Sequence, residues 1–483
     1  MKKIVSLIMV VLTAVLLVSC SGMSRNYMQP GYIGETSDDE FNEIVENKFV
    51  KTIDHPTSNI SLSANTASYS MLRKQIEQGD RISKDMVRIE EMVNYFKYDY
   101  KAPQDNDVLS IQNKMMTTPW NQETKLLLVG MQAQKIETKD IDNNIVFLLD
   151  VSGSMASSDK LPLIQQSIPL LLEHLNGNDR ISIVTYASSD RVLLSGEPAS
   201  NKLKIEAVIS DLHAQGGTAG AKGIQTAYDI AQEHFIEGGN NRVILATDGD
   251  FNVGISSQKE LESFISKKRE TGIYLSVFGF GMGNLKDNKL ETLAQKGNGH
   301  HAYIDTLLEA RKALIEDIDG TLYTVARDAK AQISFNLETV ESYRLIGYEN
   351  RQLTDDEFNN DDTDAGELGA GHQVTAIYEL RLTESSQTDL ADFTLKYKEP
   401  DINKKDVLTQ VAYLSKTDEG INDFDAAFIS SVVEFGLILR DSIYKEDASM
   451  TQLIARIEDF ETDDDYKNDF IRLVKHYQDS YVD

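Results

Sequence analysis

A central doubly wound, mainly parallel α/β sheet of Rossmann-like type, flanked on both sides by mixed α+β regions, is the fold class this sequence predicts. Three observations carry it. Short β-rich apolar runs alternate with helical patterns through the middle third, which demands crossover connections between parallel strands. The run Ile145-Val146-Phe147-Leu148-Leu149 is apolar at every position, as a strand buried on both faces must be. At 483 residues the chain also exceeds one ordinary core, since domains hold about 100–200 residues, so two or three units share it.

Taken in order, Met1–Ser19 joins a basic start (Lys2, Lys3) to an apolar run from Ile4 to Val18, short for a spanning helix and fitting an export signal. Leu17-Val18-Ser19-Cys20 resembles the lipobox of bacterial lipoproteins, which implies acylation of Cys20 and a chain anchored by lipid to a membrane of the cell envelope. Cys20 is the only cysteine, so no intramolecular disulfide or thiolate metal cage can form. Residues 20–50 are polar and punctuated by Gly22, Pro30, Gly31 and Gly34, the composition of a tether.

A mixed N-terminal flanking domain is expected over 51–138. Ile89, Met92, Val93 and Phe96 repeat at helical spacing, and Lys125–Met131 is strand-like. The central domain is expected over 139–325. Its strands are Asn144–Leu149, Ile181–Ala187, Arg242–Thr247, Ile273–Phe278 and His301–Asp305. Helical patterns lie between them at Leu161–Leu175, Lys202–Leu212, Ala219–Phe235, Gln258–Thr271 and Leu285–Gln295, and a last helix spans Leu307–Val325. A C-terminal domain over 326–483 starts with alternating strands (Ala331–Leu337, Val374–Leu380, Phe393–Tyr397). It ends in helices from Asp423 to Tyr481, where Phe428, Val432, Phe435 and Leu439 share a face.

Against 48 basic side chains stand 77 acidic ones, a net charge of -29 that repels phosphate backbones, so nucleic acid is not an expected partner. With 41% hydrophobic and 26% charged residues the chain has the composition of a folded protein rather than a disordered one. An acidic surface tolerates basic partners and concentrates divalent cations, yet it also serves simply to keep a protein soluble.

The chemistry-bearing signal lies at strand ends. Ligands of an open parallel sheet bind beyond the carboxyl ends of its strands, and the first central strand ends in Asp150-Val151-Ser152-Gly153-Ser154. Gly153 permits a tight turn, while the Ser152 and Ser154 hydroxyls are neutral oxygens suited to a hard cation. Alone, the pentapeptide is equally an ordinary turn with helix-capping residues. Two further loops change the balance: Gln215-Gly216-Gly217-Thr218 precedes a helix, and Ala246-Thr247-Asp248-Gly249 follows a second buried strand.

Strand-DxSxS, then GGT, then strand-TDG resembles the metal-ion-dependent adhesion site of von Willebrand factor A domains. The resemblance implies that Ser152, Ser154 and Thr218 coordinate the ion directly and that Asp150 and Asp248 act through water. It also implies a binding role in which a partner protein's Asp or Glu carboxylate completes the metal shell. Magnesium suits such an oxygen set first, with manganese or calcium as alternatives.

The likeness extends to the flanks. Thr66-Ala67-Ser68-Tyr69, Val87–Glu91, Asn94-Tyr95-Phe96, Val374–Glu379 and Glu434–Arg440 resemble the regions around the A domain of a group of bacterial lipoproteins. Ser61–Tyr69 departs from that group by lacking two carboxylates, which leaves the segment a packing role.

Other signals read as structural. Gly216–Gly223 lacks the ending of a nucleotide P-loop, and Gly279–Gly283 misses the dinucleotide spacing by one residue. Asn359–Glu367 reads as a solvated acidic loop without EF-hand spacing, and the adjacent His300 and His301 diverge rather than chelate. The sequence therefore predicts a non-enzymatic, lipid-anchored binding module. The alternative is a structural or assembly factor of an envelope complex whose flanks make the main contacts. A metal-dependent hydrolase ranks below both, because the site motifs offer neither His nor Glu as a general base.

Overall fold

A computed structural model describes residues 41–62, 65–104, 107–136, 141–217, 223–249, 258–282, 285–401, 404–418 and 420–481, with backbone only at 318 and 319. The residues from Asp38 onward form one compact unit. It opens with β1 (Val50–Lys51), β2 (Thr57–Ser61), α1 (Ala67–Gln78), α2 (Ile89–Asn94) and the hairpin β3 (Leu109–Thr118) and β4 (Asn121–Ala133). The central region runs β5 (Asn143–Asp150), α3 (Leu161–Leu172), β6 (Arg180–Tyr186), β7 (Asp190–Pro198), α4 (Lys202–Ser210), α5 (Gly223–Glu233), β8 (Asn240–Thr247), α6 (Gln258–Arg269), β9 (Ile273–Phe280), α7 (Asp287–Lys296) and β10 (His301–Ile304).

These strands lie in the order β10-β9-β8-β5-β6-β7, all parallel except the edge strand β7, which returns antiparallel to β6. The expected doubly wound α/β sheet is therefore present. Strand β5 is buried along its whole length, and its alternate residues divide between two cores. Ile145, Phe147 and Leu149 join the core that contains α3 and α4, while Val146 and Leu148 join the core that contains α5 and α6. Because β5 sits between β6 and β8, the connections leave it in opposite directions, and its carboxyl end is the switch point of the sheet.

The single helix expected over Leu307–Val325 is broken. It runs as α8 (Leu307–Arg311), a π-helical turn (Lys312–Glu316) and α9 (Ile318–Leu322), and Thr324 already belongs to β11 (Thr324–Phe335). The wide turn is closed by Asp317 N–H donating to Lys312 O at 2.8 Å and by the Lys312 Nζ–Asp317 Oδ2 ion pair at 3.1 Å. Beyond β11 come β12 (Val340–Ile346), β13 (Gln352–Leu353), α10 (Asp355–Asn359), β14 (Gly366–Gly369), β15 (Gln373–Leu382), β16 (Asp389–Lys398) and β17 (Val407–Ser415). The last three helices are α11 (Asp423–Arg440), α12 (Met450–Ile457) and α13 (Asp465–Tyr481).

The two flanks do not stand apart as an N-terminal and a C-terminal body. One antiparallel sheet runs β1-β12-β15-β4-β3 and another β13-β2-β11-β16-β17, each drawing strands from both sides of the central region. The reason is visible in β4, whose Leu126–Val129 run is buried on both faces: Leu127 and Val129 lie in one core, Leu126 and Leu128 in the other. A two-stranded hairpin would also leave one edge of such a buried strand with unpaired backbone groups, and β15 pairs along that edge from Lys125 to Gln132. Between the two sheets Phe335 stacks on Tyr343 (centroids 4.3 Å) and meets Tyr378 edge-on (5.3 Å). On the other face, α2 and α11 pack so closely that a side chain at Gly436 would meet Ile89 Cγ1 at 2.8 Å.

Candidate metal site

Four of the five metal-site residues expected from the sequence are described, and they meet at the switch point. Asp150 ends β5 with no exposed surface, and its Oδ1 accepts the Ser152 N–H at 2.9 Å. This turn reverses the chain at once, so the Ser152 and Ser154 hydroxyls come to 3.0 Å from each other. Asp248 follows β8, the parallel neighbour of β5, and Thr247 Oγ1 donates to Asp150 Oδ2 at 3.4 Å. Thr218 lies outside the described residues. The segment that enters it does not: Gly153 N–H donates to Gly216 O at 3.0 Å, Gln215 N–H to Val151 O at 2.8 Å, and Gly217 N–H to Ser188 Oγ at 3.0 Å. The second loop is thus laced to the first immediately before Thr218.

Burial pushes the Asp150 carboxyl up from its usual range, opposed by the hydrogen bonds from Ser152 and reinforced by the nearby charge of Asp248. Burial likewise raises the Tyr186 phenol, which lies beside Asp150. Asp248 Oδ1 is buried without a hydrogen-bond partner among the described residues. A buried carboxylate oxygen left unpaired is costly unless something positive or protic meets it. Among the described residues no group of three or more His, Cys, Asp or Glu side chains is placed to hold a metal ion. The donors on offer are therefore hydroxyl-rich, which fits a hard divalent cation and not a thiolate or imidazole cage.

One participant is absent from the sequence-based set. Lys160 Nζ donates to Asp248 Oδ2 at 2.9 Å and to Ser154 O at 3.1 Å, bridging the first and third loops. Its signal was available, a basic residue six positions after Ser154 at the start of α3, but spacing alone cannot aim a lysine inward.

The remaining candidates separate. Cys20 and the rest of residues 1–40 lie outside the described residues. Residues 41–50, expected as the end of a tether, are instead packed onto the body: Asn47 Nδ2 donates to Leu345 O at 3.2 Å and Gly347 O at 2.9 Å, and Val50 begins β1. Among the described residues no helix is long and apolar enough to cross a membrane. His300 and His301 diverge as expected. His300 lies 5.7 Å from His372 between ring centroids, while His301 Nε2 approaches Asp287 Oδ1 at 3.7 Å. Burial drives His300 down to about 4 and His372 down to about 3, so both are neutral packing residues at pH 7. The Asn359–Glu367 segment is less solvated than expected: Asp364 pairs with Arg269 (3.0 Å) and Lys296 (2.9 Å), and burial pushes the Glu367 carboxyl well above the usual carboxylate range. Gly281 adopts a left-handed φ of 70° just beyond β9, the tight loop that the glycines there suggested.

A doubly wound sheet with an Asp-x-Ser-x-Ser turn at its switch point is the arrangement of a von Willebrand factor type A domain, and residues 144–318 match the model of that domain. Residues 35–128 match a model described as von Willebrand factor, and residues 320–479 one described as the C-terminal region of uncharacterized protein YfbK. The chain belongs to the family of uncharacterized protein YfbK of Escherichia coli (strain K12), to which it is 37% identical over 464 residues, 90% of this chain and 80% of that protein.

Among solved structures, a von Willebrand factor type A protein from Catenulispora acidiphila is similar over 79% of this chain and 91% of its own, at 14% identity and a TM-score of 0.43. Proximal thread matrix protein 1 from the mussel byssus, described with a zinc-occupied adhesion motif, is similar over 37% of this chain and 48% of its own, at 19% identity and a TM-score of 0.31. Domains of this type commonly hold a divalent cation at that motif and mediate protein–protein interaction.

Proposed function

We propose that this chain is a non-enzymatic binding module, tethered to the cell envelope through Cys20, which grips an acidic residue of a partner protein through a divalent cation. Asp150, Ser152, Ser154, Thr218 and Asp248 would hold the ion, with magnesium the first choice. The observation that supports this reading is the convergence of Asp150, both serines and Asp248 at the switch point, with Asp248 Oδ1 buried and without a hydrogen-bond partner among the described residues. Three neutral hydroxyls and two carboxylates leave a divalent ion with unsatisfied coordination, and an incoming carboxylate is the ligand that would complete it.

Titration calorimetry with Mg2+ and Mn2+ tests the site: the wild type binds, and Asp150→Ala does not. Partner capture by crosslinking, with and without EDTA, tests the role. Capture that is lost with EDTA and in Asp150→Ala supports metal-dependent recognition, whereas capture indifferent to both sinks it. The assembly-factor reading has its own surface, since Val411 and Tyr413 on β17 are 63% and 81% exposed. Chelator-resistant capture that is lost in Tyr413→Ser would favour it. Turnover of an ester, peptide or phosphate that vanishes in Asp248→Ala would overturn the non-enzymatic reading.

A further inference from the structure

We propose that Lys160 is a built-in competitor of the metal: its ammonium holds Asp248 in the metal-free site and weakens divalent binding, so that occupancy follows the surrounding ion concentration. The proposal rests on the metal-site reading above, and it concerns a residue outside the five-member motif.

Three features of the structure support it. The first is position. Lys160 Nζ makes a 2.9 Å ion pair with Asp248 Oδ2 and a 3.1 Å hydrogen bond to Ser154 O, so a positive charge sits between two of the loops that would hold the cation. The second is burial. The Lys160 side chain is 14% exposed and that of Asp248 2%, which leaves little water to screen the charge.

The third is a space made for the side chain. Gly281 lies against the lysine stem, and a Cβ there would come 2.1 Å from Lys160 Cε and 2.9 Å from Cγ. Any other residue at 281 would expel the lysine from its path. The base of the same loop is tied down, since the preceding Asp159 pairs through Oδ2 with Lys74 Nζ of α1 at 3.2 Å.

The charges then decide the direction of the effect. With both carboxylates ionised, Asp150, Asp248 and Lys160 together carry one net negative charge, where the two aspartates alone would carry two. An incoming divalent ion must displace the ammonium from Asp248 or bind beside it, and either course costs affinity. A purely orienting lysine would do the opposite. Its removal would let Asp248 turn away and would weaken the metal.

Calorimetric titration of the full chain with MnCl2 separates the two. Lys160→Met keeps the length of the stem and removes the charge, and it is expected to bind Mn2+ about tenfold more tightly than the wild type. Lys160→Arg retains the charge and is expected to stay near the wild-type affinity. Equal or weaker Mn2+ binding by a folded Lys160→Met chain overturns the proposal. Lys160→Gln provides the same comparison should the methionine variant fail to fold. Binding by neither the wild type nor Lys160→Met overturns the metal-site reading itself. Binding by Lys160→Met but not by the wild type supports both.

Discussion

Asp150 carries its charge where water does not reach, and that has a consequence that can be measured without any partner. Its carboxyl is raised by burial, so in the metal-free protein the ionised form opposes folding. The sign follows from linkage: a carboxyl with a raised folded pKa binds more protons in the native state, so its contribution to stability falls as pH rises above the unfolded value. Asp150→Asn is therefore expected to raise the melting temperature of the EDTA-treated protein at pH 7, and to abolish the further rise expected of the wild type on adding Mg2+. A melt of both chains, with and without Mg2+, checks both halves. At this scale Asp150, Ser152, Ser154 and Asp248, which the structure brings to one switch point, were legible because their types and order are particular, while Thr218 lies outside the described residues. Lys160 was not, because its contact with Asp248 spans 88 positions and depends on where the sheet brings the two loops.

Elements were legible in proportion to how strongly their burial marks the sequence. The parallel strands β5, β6, β8, β9 and β10 stood out as apolar runs, whereas β17 hides because it lies at a sheet edge and only Leu414 of its nine residues is buried. The hairpin return β7 hides for the same reason. The helix after β10 misled because its composition suits one continuous helix, while the Lys312–Asp317 pair imposes a wide turn within it. Strand β4 shows how a small residue is set by packing. The Tyr100 ring lies over Gly130, where a Cβ would come within 2.6 Å, and Tyr100 Oη is 2.8 Å from Thr375 Oγ1 of the adjoining β15. Gly130→Val must displace the ring and is expected to cost about 1–3 kcal/mol, read as a lower urea midpoint at unchanged slope.

Across the whole molecule, one side chain joins three regions. Arg73 on α1 pairs with Asp305 (2.5 Å) just past β10, with Glu309 (2.9 Å) on α8 and with Asp469 (3.4 Å) on α13, and also donates to Tyr95 Oη at 3.1 Å. Arg73→Met strands the buried Asp305 and Glu309 carboxylates and is expected to destabilise the protein by about 3–5 kcal/mol in denaturant titration. Shared sheets also limit which experiments are informative. Truncation after Val325 removes β15, the strand that covers β4, so a loss of binding on such a deletion would report unfolding of the N-terminal flank. Point variants such as Tyr413→Ser avoid this.

The sequence by itself determined the central sheet, its winding and the Asp-x-Ser-x-Ser turn at its switch point, because each is written locally: apolar runs for buried strands, and Asp, Ser and Gly in a loop at a strand end. What only the tertiary structure decided is non-local. Strands from residues 50–133 pair with strands from 324–415, and hydrogen-bonded ladders name no partner in sequence, since any strand with the right burial can receive another. The same holds at the candidate metal site, where the Lys160 stem runs past Gly281 of the loop after β9 and its ammonium reaches Asp248.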